Sequence, residues 1–93
     1  MKIKWDFPKA KVAANLSFDK ETTRPDVEKI DSLLTTAGFD GHAVIAGHSI
    51  GRTENIIFIR KWNHFEWEEV CMAVEVSIQQ HFHDVIFENS KAV

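Results

Sequence analysis

Three features of this sequence predict an α+β fold: short segments with apolar residues at every second position, two segments with apolar residues at helical spacing, and an interleaved order of the two kinds. The clearest alternating segment runs from Lys9 to Asp19. Ala10, Val12, Ala14, Leu16 and Phe18 fall on one side of it, and Lys9, Lys11, Asn15, Ser17 and Asp19 on the other. Only Ala13 spoils the polar side. A period of two puts one face on a core and leaves the other for water or a partner.

The remaining elements follow in order. Ile3, Trp5 and Phe7 alternate with Lys2, Lys4 and Asp6, which reads as a short strand. Pro8 cannot donate to a ladder, and the apolar parity changes from odd to even across it, which signals a bulge or a break. Residues 1–8 are therefore expected as an edge strand or an arm. Pro25 suits a first helical turn, with Thr23 as cap and Asp26 three residues on. Val27, Ile30, Leu33, Leu34 and Ala37 give a helix over 25–37, closed by Gly38. His42 to Ile50 and Asn55 to Trp62 read as strands joined through Gly51-Arg52-Thr53-Glu54, a hairpin connection. The unbroken run Ile56 to Ile59 implies burial on both faces.

Asn63, with Glu66 three residues later, reads as the cap of a second helix over 64–82. Trp67, Val70, Cys71, Val74, Ile78 and Phe82 mark its core face, and Met72 and Val76 widen it. Asp84 to Val93 supplies a last strand around Val85, Ile86 and Phe87. The order β-α-β-β-α-β predicts a ferredoxin-like sandwich, an antiparallel sheet with both helices on one face, plus the N-terminal strand or arm. Residues 1–93 are expected to form a single domain, with 9–93 as its α+β core.

With 44% hydrophobic and 27% charged residues, the composition is that of a folded soluble domain and not of a disordered tail. The one cysteine, Cys71, cannot form an internal bridge, which fits a reducing compartment. No apolar run reaches the roughly 20 residues of a membrane helix. A cytoplasmic protein without a membrane partner is expected. The net charge of −3 argues against tight, purely electrostatic nucleic-acid binding. It conceals a basic start, Lys2, Lys4, Lys9 and Lys11, and an acidic stretch from Asn63 to Glu75 with four glutamates and no Lys or Arg.

Motifs for chemistry are scarce. His81 and His83 would diverge by about 200° at a helix end, where imidazolium suits the dipole, so capping explains them. His42 and His48 are about 20 Å apart along a strand, and His64 follows a helix cap. No spacing matches a zinc motif, so neither metal nor cofactor is expected. Cys71 points with Val74 toward the core, where a thiol is inert. Ser49 and His48 are adjacent on a strand and face opposite ways. The glycines at 38, 41, 47 and 51 match no phosphate-binding loop. No catalytic residue is assigned, and an enzyme is not expected.

The stretch Lys11-Val12-Ala13-Ala14-Asn15-Leu16-Ser17-Phe18-Asp19 resembles the first strand of an RNA-recognition motif, and Gly51 to Ile59 resembles the approach to its third. The element order matches over about 80 residues. That family stacks bases on aromatic side chains of the two central strands. Here those places hold Ala13, Ile56 and Phe58, so the resemblance implies the fold and disfavours ordinary base stacking.

The leading expectation is a non-enzymatic protein that acts by macromolecular contact, most simply with another protein, as an adaptor or a phage-type inhibitor of host machinery does. Trp5, Phe7, Ile57, Ile59 and Trp62 are the candidate interface, since aromatic anchors are enriched there. An apolar second sheet face would suit a homodimer. The alternative is RNA or single-stranded nucleic-acid binding through Lys9, Lys11, Asn15, Arg60 and Lys61. A third reading is a small enzyme or metabolite binder whose residues assemble only in the fold.

Overall fold

A computed structural model describes residues 1–7, 13–36, 47–48, 56–60 and 65–92. Its elements are β1 (Lys2–Asp6), β2 (Ala13–Phe18), α1 (Arg24–Thr36), β3 (Gly47–His48), β4 (Ile56–Arg60), α2 (Trp67–Gln79) and β5 (Ile86–Glu88). They form a small α+β structure with two helices and one mixed sheet, ordered β3-β4-β2-β1-β5.

This order corrects the ferredoxin-like, wholly antiparallel expectation. β1 is neither an edge strand nor an arm. It lies between β2 and β5, antiparallel to the first and parallel to the second. The odd-to-even parity change acquires a plain cause. The register sets Ile3 against Phe18 and Trp5 against Leu16, so odd residues of β1 share a face with even residues of β2. Pro8 and the rest of 8–12 lie outside the described residues.

Both helices cover one face of the sheet. Val27, Ile30 and Leu34 of α1 and Val70, Cys71, Val74 and Ile78 of α2 join one core with Ile3, Trp5, Ala14, Leu16, Ile57 and Ile59. Full burial of each Val, Leu or Ile side chain among them contributes about 1.5–3 kcal/mol. The expected both-face burial of Ile56 to Ile59 is not found. Ile57 and Ile59 enter the core, Phe58 is exposed and Ile56 is half-buried. Ordinary strand alternation, with both described helices on the same side of the sheet, explains this.

The helix α1 forms as its spacing predicts, and the Asp26 N–H donates to the Thr23 hydroxyl at 3.3 Å. The helix α2 is shorter than expected. Glu66, in extended conformation, occupies its N-cap without a side-chain bond, and the Glu69 and Val70 N–H groups donate to the Glu66 carbonyl. Asn63 lies outside the described residues. Met72 and Val76 are exposed on the outer side of α2 and do not widen its core face. They sit opposite the stripe formed by Val70, Cys71, Val74 and Ile78. The last strand has three residues where ten were expected. It ends where Asn89 takes a left-handed backbone, φ 59°, which asparagine tolerates better than most residues.

Asp19 ties β1 to the turn before α1. One carboxylate oxygen accepts from the Thr22 hydroxyl and from the Thr22 N–H at 3.0 Å, and the other accepts from the Lys2 N–H at 3.2 Å. The Thr22 hydroxyl is the main cause that lowers the Asp19 pKa from its ordinary value of 3.8, against a smaller opposing effect of burial. A carboxyl that is more acidic when folded contributes stability that is complete above its unfolded value and is lost as pH falls through the folded one. Asp19→Ala should therefore lower the denaturant midpoint at neutral pH, and the gap to wild type should narrow in strong acid.

Candidate binding site

Two surfaces hold side chains without a structural explanation in the core. The first is the open face of the sheet. Strand register lays Asp6, Asn15 and Phe58 side by side on it, and beside them Glu88, Lys4, Ser17 and Ile56. At its β5 edge Ile86 pairs with Lys2 and is 58% exposed, while Phe58 is 40% exposed. The Ser17 hydroxyl donates to Asp6 at 2.9 Å, so that carboxylate is engaged within the face.

The second surface is an aromatic recess where β1 meets the start of α2. The rings of Trp5 and Phe7 stack, with centroids 5.6 Å apart and planes 4° apart. Trp67 stands nearly across both, at 65° to Trp5 and 68° to Phe7, with centroids at 6.4 and 5.3 Å. Alternation in β1 brings Trp5 to the helix side, Phe7 just past the end of that strand packs against the same core, and Trp67 reaches them from the first residue of α2.

A strap formed by residues 89–92 crosses this recess. The Trp5 indole N–H donates to Glu75 Oε2 at 2.9 Å, and the Ser90 hydroxyl donates to the same oxygen. The Ala92 N–H donates to Ser90 Oγ at 3.0 Å, and the Asn89 side-chain amide donates to the Trp5 carbonyl at 2.8 Å. These bonds hold the Lys91 ammonium 4.3 Å from the centre of the Phe7 ring, within cation–π range.

Cys71 lies beneath the strap and is fully buried. Burial pushes its thiol up to about 11, with the Lys91 backbone N–H as the main opposing influence. Since the thiolate is the reactive form, a thiol reagent should label Cys71 very slowly in the native protein and at once in denaturant. Rapid stoichiometric labelling without denaturant would contradict this placement.

The residues singled out from sequence separate in the fold. Trp5, Ile57 and Ile59 are fully buried core residues, which corrects their assignment to an interface. Phe7 is half-buried and lines the recess. Asn15 is half-buried on the open face, and Arg60 ends β4 opposite Ala13. Trp62, Lys9, Lys11 and Lys61 lie outside the described residues, as do His42, His64 and Ser49, while His48 falls in β3. His81 and His83 are exposed in the turn after α2 and line a cleft of about 410 Å³ with Met1, Phe82, Asp84 and Val85. Helix α2 ends at Gln79, so they do not occupy its last turn as expected. Among the described residues no three His, Cys, Asp or Glu side chains are grouped to hold a metal ion, and no helix is long and apolar enough to cross a membrane.

Sequence reasoning gave Trp67 a core role and left Glu75 and Lys91 without one. The acidic stretch from Asn63 to Glu75, set against a distant lysine, was the available signal. No protein-family model, curated protein or solved structure matches the chain.

Proposed function

We propose that this protein is a non-enzymatic binding module that acts through contact with another protein, using the open sheet face around Phe58. The observation that carries the reading is the exposure of Phe58 beside half-buried Ile56 on the face away from both helices. A large aromatic side chain paired with Asn15, with Asp6 next to it across β2, has the form of an anchor beside polar groups. The reading extends to adaptor or inhibitor roles, and a second copy of the chain is one admissible partner.

A second reading, single-stranded nucleic-acid binding, is favoured by the same Phe58 next to Asn15, because an exposed ring on a sheet can stack a base. The two readings separate in one set of measurements. Phe58→Glu should abolish crosslinking to a defined protein partner in extract of the native host, while Met72→Glu on the outer side of α2 should retain it. Retention by Phe58→Glu would overturn the assignment of the face. Light scattering of the full chain tests a second copy as that partner. Fluorescence anisotropy with short labelled RNA should show negligible binding at physiological salt. Tight binding that falls steeply with salt would establish the second reading instead.

A further inference from the structure

We infer that the outer side of α2 is a docking surface for an amphipathic helix of another protein, one whose apolar row is flanked by Lys or Arg. The first observation is a second apolar pair on this helix. Val70, Cys71, Val74 and Ile78 account for the side that packs on the sheet. On the opposite side Met72 is 45% and Val76 49% exposed, one turn apart. Glu69, Met72, Val76 and Gln79 succeed one another at spacings of three, four and three, which sets them in one row along the helix. That is the pattern by which one helix seats another. Glu69 and Gln79 are exposed as well, so the row is apolar in its middle and polar at its ends. It points away from the sheet and is separate from the open sheet face.

The second observation is charge, and it selects the occupant. Glu66, Glu68 and Glu69 are exposed at the start of α2, and no Lys or Arg occurs from Trp62 to Ser90. Lys91, the next base along the chain, lies over the Phe7 ring. Glu75 flanks the row too, but its carboxylate accepts from Trp5 and Ser90. Acidic side chains in a first helical turn suit the helix dipole. The dipole gives no reason for Met72 and Val76 to face water. A second copy seated through the same row would set glutamate against glutamate, and the phosphates of a nucleic acid or an anionic membrane would meet the same repulsion. A helix with basic flanks meets carboxylates at one end of the row and apolar contact in its middle, so charge fixes its orientation while Met72 and Val76 anchor it.

The test uses two fluorescein-labelled helical peptides with the same leucine row, one flanked by lysine and the other by glutamate, and reads fluorescence anisotropy. The lysine peptide should bind wild type saturably, with an affinity that falls as salt rises, and the glutamate peptide should not bind. Met72→Ser and Val76→Ser should each weaken the lysine peptide about tenfold. Both side chains are exposed, so the urea midpoints of these variants should stay near wild type. Joint reversal by Glu68→Lys and Glu69→Lys should invert the preference, so that the glutamate peptide binds and the lysine peptide does not. Phe58→Glu should bind as wild type does, which separates this surface from the open sheet face. Absence of saturable binding to wild type, or an unchanged preference after the double reversal, overturns the proposal. Binding that survives both serine substitutions overturns it too, and its loss in Phe58→Glu would place the peptide on the open sheet face instead.

Discussion

A chain that lacks residues 1–7 is expected to lose cooperative folding. β1 is hydrogen-bonded on both sides, to β2 and to β5. Its removal takes two fully buried side chains, Ile3 and Trp5, out of the core. It also leaves β5 without a neighbour, since the Ile86 N–H donates to the Met1 carbonyl and Lys2 to Lys4 pair with Ile86 to Glu88. Truncation of one such side chain to alanine costs about 2–5 kcal/mol. Loss of two, with the ladder on both sides, reaches the whole stability of a typical domain, about 5–15 kcal/mol. Far-ultraviolet circular dichroism and urea titration should show no sigmoidal transition. A cooperative transition near the wild-type midpoint would mean that β1 is an appendage.

The second large effect is expected at Trp5. Trp5→Ala should lower stability by about 3–5 kcal/mol, in the range for large aromatic-to-alanine changes in a core. The ring is fully buried between Phe7 and Trp67, and its N–H donates to Glu75. Trp5→Phe separates packing from hydrogen bonding. It keeps an aromatic ring against Phe7 and removes the donor, at a net cost on the order of 1 kcal/mol. Glu75 retains the Ser90 hydroxyl in that variant. Urea midpoints of the three proteins, with slopes compared, should fall in the order wild type, Trp5→Phe, Trp5→Ala. A Trp5→Ala midpoint close to wild type would show that the indole packs little.

Local order was legible where a single element sets its own pattern. The alternation of Ala14 and Leu16 with Asn15 and Ser17 predicted which side chains of β2 enter the core, and that of Ile3 and Trp5 with Lys2 and Lys4 predicted a strand but not the burial of Trp5, which was expected at an interface. The spacing of Val27, Ile30 and Leu34 predicted α1, and Thr23 predicted its start. The stripe through Val70, Cys71, Val74 and Ile78 predicted the buried side of α2. These patterns need no partner to be read, because period two and period 3.6 are properties of the backbone.

The sheet order and the site were decided only by tertiary structure. A strand with one apolar and one polar face has the same sequence pattern at the edge of a sheet and in its middle, because what differs is hydrogen bonding by the backbone, which no side chain encodes. The insertion of β1 between β2 and β5 is a choice of that kind, and it turned an antiparallel expectation into a mixed sheet. Met72 and Val76 were exposed for a related reason, since apolar character allows burial but does not require it. Trp5, Phe7, Trp67, Glu75 and Lys91 are up to 86 positions apart in the chain. They meet because β1, α2 and the residues after β5 pack together, and contacts over such separations follow from the fold and not from any local period.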